Sequence, residues 1–178
     1  MPTYLVHLVI GDYELVEADP IGSVDGSQIE ITHLVPADAE DRYRIFFEQT
    51  DDQIAFFEQL FGPYPLDRYG LAFVDGQSGL AMETQGRSLF SIDSFANGQL
   101  GFGQQLLLAH ELAHQWFGNA VSPATWSDIW LNESFASYAQ WLWLDEVDMG
   151  TVEQFADQAL LSGLGEFGEP TGDPTLDT

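Results

Sequence analysis

The sequence predicts an α+β fold. Short runs with strand character lie between residues 4 and 92. Longer runs whose apolar residues recur at helical intervals extend from Asp38 to Phe61, Leu106 to Asn119 and Ile129 to Leu144. An apolar fraction of 45%, with 13% aromatic residues, is ample for one core in a chain of 178 residues.

Tyr4 to Val16 alternates weakly between apolar and polar residues and carries β-branched side chains, which predicts a strand. Asp19-Pro20-Ile21-Gly22 through Gly26 is rich in turn residues, and Gln28 to Val35 reads as a second strand bounded by Pro36. From Asp38 to Phe61, the residues Tyr43, Phe46, Phe47, Ile54, Phe57 and Leu60 share one helical face, with the acids on a solvated face opposite. Gly62-Pro63-Tyr64-Pro65 ends that helix. Tyr69 to Val74 and Ser88 to Ile92 are strand candidates, and Ala81 to Glu83 lies between them, suited to a sheet edge.

Ser127 or Asp128 is a candidate N-cap for the helix ending near Leu144, and Thr151 for a further helix to Leu161. Trp126, Trp130, Trp141 and Trp143 crowd the first of these and suit core or interdomain packing. From Ser162 onward, Gly, Pro, Asp and Thr predict a loop or frayed end.

Charge narrows the partners. Against 29 acidic residues stand four Arg and no Lys, a net charge of −25. Nucleic acid and anionic membrane surfaces carry the same sign and are excluded as expected partners. Two sources fit such a balance: a salt-adapted, acid-rich proteome, or separation from a more basic remainder of the same chain. Without Cys there is no disulfide framework and no thiolate metal site, so His and carboxylate are the strong metal ligands at hand. No apolar run approaches the roughly 20 residues of a membrane span. Met1-Pro2-Thr3 lacks a basic n-region, and a cytoplasmic location is expected.

Half of the four His fall in one five-residue window, His110-Glu111-Leu112-Ala113-His114. On a helix, four residues advance about 400°, so two imidazoles four apart lie one turn along the same face and reach one Zn²⁺. Glu111, beside the first, is placed to take a proton from a metal-activated water. A catalytic zinc usually has three protein ligands and an open position. Glu133, 19 residues beyond His114 and set among Trp130, Leu131 and Phe135, is the candidate for the third, because a dication offsets the cost of burying its carboxylate. The loop Ala120 to Ala124 lets the two helices fold back on each other.

HELAHQWFGN from His110 to Asn119, followed by WLNESFA from Trp130 to Ala136, resembles the aminopeptidase N type of zinc metallopeptidases, a gluzincin family. The resemblance implies His110, His114 and Glu133 as zinc ligands and Glu111 as general base. A second family motif, Gly-x-Met-Glu-Asn, is matched loosely over Gly79 to Thr84, with Ala81 or a displaced Gly at the first position and Thr84 in place of Asn. It implies that Ala81, Met82 and Glu83 bind substrate, with Glu83 meeting the free α-amino group. Seven residues after Glu133 the family commonly has a second Glu. Gln140 stands there, and its amide oxygen can accept a hydrogen bond from a His N–H.

The fold implied is thermolysin-like: a small mixed sheet packed on helices, with a zinc-binding helix pair as the cleft floor. Residues 1–18 are expected to end a preceding β-rich domain, and 19–178 to form the N-terminal part of the catalytic domain. The family's oxyanion Tyr lies well downstream of the third ligand, and Tyr138, five residues past Glu133, does not match it. The chain therefore reads as a fragment of a zinc-dependent aminopeptidase acting on peptides with a free N-terminus, its other partners being the remaining domains of the same protein. A zinc endopeptidase or other zinc hydrolase on this scaffold, and a non-catalytic module held together by metal, remain the alternatives.

Overall fold

Along β2 (Gln28–Pro36), Ile29, Ile31, His33 and Val35 are buried while the residues between them are half-buried or exposed, the period-two pattern of a strand with one face on a core. This strand belongs to a computed structural model that describes residues 5–37, 39–75 and 81–166. β1 (Tyr13–Gly22) pairs antiparallel with β2, from Tyr13 opposite Pro36 to Gly22 opposite Gln28, with an irregularity between Ala18 and Ile21. The first strand thus starts at Tyr13, residues 5–12 of the expected strand lying outside the sheet and Tyr4 outside the described residues, and it runs through the stretch expected to turn. The turn itself is held to Ser23–Ser27, closed by the Ser23 N–H to Ser27 carbonyl bond at 3.0 Å.

The reason is pairing. Ladder bonds to β2 on either side outweigh the turn preferences of Asp19 and Pro20, which form the irregularity, whereas Val6, Leu8 and Ile10 have no strand partner among the described residues and stay exposed. A division at residue 18 falls inside β1, whose pairing with β2 continues on both sides of it.

β3 (Arg68–Tyr69) and β4 (Leu71–Val74) run parallel to β2, and β4 runs parallel to β6 (Ser88–Ser91). Gly70 separates β3 from β4 where a Cβ would fall 1.9 Å from the Thr32 carbonyl oxygen, so only a glycine lets the two backbones approach. β5 (Ala81–Met82) pairs antiparallel with β6, and the mixed sheet has the order β1-β2-β4-β6-β5, with β5 at one edge.

α1 (Glu40–Phe61) lays Tyr43, Phe46, Phe47, Ile54 and Phe57 into the core, where Phe46, Phe73, Phe90 and Phe95 meet with ring centroids 4.9–5.8 Å apart. Two residues depart from expectation. Leu60 is half exposed. Glu58, read as part of the solvated face, is buried: its carboxylate accepts from Ser23 Oγ, from the Val24 N–H at 3.2 Å and from the Tyr64 N–H at 2.7 Å. Two loops leave backbone donors here that need a partner, and one carboxylate on α1 serves both.

α2 (Phe102–Ala113) packs against α3 (Trp130–Glu146), and α4 (Val152–Glu166) packs on α3. Ser127 and Asp128 do not cap α3. They lie in a 3₁₀ turn over Trp126–Asp128, and Ile129 takes the capping position with no side-chain bond. Thr151 does cap α4: its Oγ1 accepts from the Gln154 N–H at 3.2 Å and Gln154 Oε1 accepts from the Thr151 N–H at 3.0 Å. That helix continues past Ser162 to Glu166, and the rest of the expected tail lies outside the described residues. Of the tryptophans, Trp143 is a core residue, Trp141 is half-buried beside Phe155, and Trp126 and Trp130 are exposed. No helix among the described residues is long and apolar enough to cross a membrane.

Candidate metal centre

Leu108, Ala109, Leu112 and Ala113 are buried, which fixes the rotation of α2 and turns His110 and His114 toward α3. The helix ends at Ala113, earlier than the expected Asn119. His114 keeps helical torsions (φ −60°, ψ −20°) and its N–H reaches the His110 carbonyl at 3.3 Å, so the one-turn spacing survives. Beyond it the chain turns, Gly118 adopting φ +123°. Glu133 lies in the first turn of α3.

Three side chains converge. His110 Nε2 and His114 Nε2 are 3.1 Å apart, and Glu133 Oε2 is 3.3 Å from the first and 3.6 Å from the second. Among the described residues this is the group of His and carboxylate side chains whose ligand atoms gather within 4.8 Å of one another. The other ring nitrogens are occupied: His114 Nδ1 is 2.9 Å from the Phe117 carbonyl oxygen and His110 Nδ1 is 2.8 Å from Gln140 Oε1. A carbonyl only accepts, so His114 carries its proton on Nδ1 and presents a lone pair at Nε2. Gln140 imposes the same tautomer on His110.

Two ring nitrogens and a carboxylate oxygen therefore face one point, an arrangement suited to a cation between them. Zinc bonds of about 2.0–2.1 Å at tetrahedral angles separate neighbouring ligand atoms by roughly 3.3 Å. The observed separations bracket that value, and two imidazoles with one carboxylate are a donor set that zinc accepts. The residues fit the ion.

The electrostatics agree. Burial first, and the neighbouring His114 second, hold the His110 pKa below its ordinary value. On His114 burial acts in the same direction but is outweighed by the hydrogen bond to Glu133 and the charge of Glu111, so its pKa is raised. Glu133 is held below the usual carboxylate range, chiefly by its hydrogen bond to His114.

Glu111 is buried, and its Oε2 has no hydrogen-bond partner among the described residues. Burial, opposed by His114 and reinforced by Glu83 and Glu133, pushes its pKa up to about 8. A pKa raised toward neutrality marks Glu111 as a group able to exchange a proton at this site.

Glu83 follows β5 directly, and its charge is felt by both Glu111 and His114. Ala81 and Met82 make the edge strand beside it, opposite Phe90 and Leu89 of β6. The candidate ligands, base and substrate-binding residues therefore lie on α2 and its C-cap, in the first turn of α3, and on β5 with the residue after it.

The sequence reading missed three groups: the Phe117 carbonyl, and the side chains of Gln115 and Asn119. Asn119 Nδ2 donates to the Glu83 carbonyl at 2.7 Å, while Gln115 Nε2 donates to the Glu111 carbonyl at 3.2 Å. The signal for the two amides was their presence, as polar residues on either side of Trp116-Phe117-Gly118, in a stretch that is otherwise apolar. A backbone carbonyl leaves no such trace.

The model of the peptidase family M1 domain matches residues 45–165. Aminopeptidase Ey of Gallus gallus is 37% identical over 158 residues, covering 83% of this chain and 16% of the relative. Endoplasmic reticulum aminopeptidase 1 of Homo sapiens is 36% identical over 152 residues, covering 80% and 15% respectively. Among solved structures, the M1 zinc metallopeptidase from Deinococcus radiodurans superposes with a TM-score of 0.70 at 31% identity, over 90% of this chain and 35% of that one. A mutant of it bound to a Tyr-Ser-Ala substrate gives a TM-score of 0.72 at 30% identity over the same shares. The chain thus spans about a sixth of the length of these curated relatives.

Proposed function

Because the chain belongs to peptidase family M1, we propose that the protein it is part of is a zinc-dependent aminopeptidase, with His110, His114 and Glu133 as the zinc ligands. The observation that carries this is the meeting of His110 Nε2, His114 Nε2 and Glu133 Oε2 within 3.6 Å of one another, with both Nδ1 atoms already bonded elsewhere. In this reading α2 and α3 are the zinc-binding helix pair of a thermolysin-like domain, and residues 1–18 join a preceding β-rich domain.

A zinc ion held by these three supplies a Lewis acid that acidifies water and polarises a carbonyl. The rest falls to the chain's own residues. Glu111, with an unpartnered oxygen and a raised pKa, takes the proton from the attacking water and returns it to the departing amine. Glu83 holds the substrate's α-ammonium, so the bond presented to Glu111 is the first of the peptide. The acidic side chains of Glu83, Glu111 and Glu133 gathered here suit a cationic amino terminus.

The test uses the full-length protein. Glu111→Gln should retain stoichiometric zinc by elemental analysis and lose turnover of an aminoacyl amide by about 10² to 10⁴-fold. Substantial residual activity sinks the role given to Glu111. Equal hydrolysis of free and N-acetylated peptides would instead identify an endopeptidase.

A further inference from the structure

Gln115 and Asn119 lie in the turns just past the end of α2 and reach toward the segment after β5, and the chemistry above uses neither. Gln115 is fully buried and joins three backbone points. Its Nε2 donates to the Glu111 carbonyl at 3.2 Å and lies 3.5 Å from the Glu83 carbonyl, while its Oε1 accepts from the Gly86 N–H at 2.9 Å. Asn119 adds the stronger bond to the Glu83 carbonyl, at 2.7 Å. Its own N–H is tied to the His114 carbonyl at 3.0 Å, so the donor is referenced to a metal ligand.

β5 needs this help. Among the described residues it is two residues long, pairs with β6 through Ala81 and Met82, and has no strand on its outer side. Glu83 already lies beyond its end. Two ladder positions at a sheet edge do not fix the residue that follows them.

We propose that Gln115 and Asn119 are positioning residues that clamp the Glu83 backbone to the metal helix, setting the distance between the ammonium partner and Glu111 and thereby the one-residue length of the cut. The proposal rests on the reading of Glu83 as the partner of the amino terminus. A substrate seated on Glu83 presents its scissile carbonyl at a fixed reach, and a shift of about 1 Å in that seat costs as much as 10²-fold in rate. Neutral amides suit the task. They supply donors where another charged group would disturb a site that already holds Glu83, Glu111 and Glu133.

The experiment compares Asn119→Ala, Asn119→Asp (which keeps the volume and removes the N–H donor) and Glu83→Gln in the full-length protein. It reads zinc content, KM and kcat on an aminoacyl amide, and the preference for a free over an N-acetylated peptide. Both Asn119 variants should bind zinc as the parent does, raise KM, lose about 10- to 100-fold in kcat/KM and show a reduced preference for the free amino terminus. The double variant Glu83→Gln with Asn119→Ala should be no worse than Glu83→Gln alone, since both act through one contact. Parent-like KM and preference in the Asn119 variants, with Glu83→Gln impaired, overturns the clamp and leaves the reading of Glu83 standing. A Glu83→Gln variant that keeps its preference overturns the reading itself. Loss of zinc from both Asn119 variants assigns the side chain to the metal helix and also overturns the clamp.

Discussion

His110 Nδ1 and Gln140 Oε1 are 2.8 Å apart, an uncharged amide oxygen on α3 accepting from an imidazole on α2. Gln140 stands seven residues beyond Glu133, two turns along the same face, and is buried. One helix therefore supplies both a candidate ligand and the group that sets the tautomer of another.

Removing that acceptor should be felt by the metal. Gln140→Leu is expected to weaken zinc binding by about 10- to 100-fold in competition with a chromogenic chelator, while Gln140→Glu should hold zinc at least as well as the parent. Parent-like affinity in the Leu variant would show that the amide orients nothing.

His33 makes acid stability a second test. Its ring is buried and stacks on Phe47 with centroids 4.0 Å apart, and its Nδ1 accepts from the Leu71 N–H at 3.2 Å. Burial first, and the Arg87 charge second, lower its pKa to about 3. Above the ordinary value of about 6.5 the ring is neutral in both folded and unfolded chains and contributes no pH dependence. Between about 6.5 and 3 only the unfolded chain takes the proton, so stability falls as pH falls, by up to roughly 5 kcal/mol across the window. Urea midpoints of the parent and of His33→Asn between pH 7.5 and 4 should show a shallower acid loss in the variant. Parallel curves would contradict a neutral buried imidazole.

Gly118 is the third. At φ +123° an L-residue is strained, and a Cβ there would lie 3.1 Å from Asn132 Nδ2 and 3.4 Å from His114 Nδ1. Gly118→Ala should cost about 1–3 kcal/mol in chemical denaturation. Because relieving the Asn132 contact shifts the turn whose Phe117 carbonyl faces His114 Nδ1, zinc affinity should fall with it. A variant that loses stability but binds zinc unchanged would separate the turn from the metal centre.

The sequence by itself determined the residues that can meet a metal. His110 and His114 are four apart on a helix, a spacing that local backbone geometry converts into one shared face whatever the rest of the chain does. The helical period that places Glu133 and Gln140 two turns apart on one face is equally local. Tertiary structure decided the rest. Where β1 begins, that Glu58 is buried rather than solvated, that α2 stops at Ala113, and which backbone atoms Gln115 and Asn119 hold all depend on partners far along the chain. Strand pairing and buried backbone donors are settled by whatever packing brings opposite them, and no local periodicity records that choice.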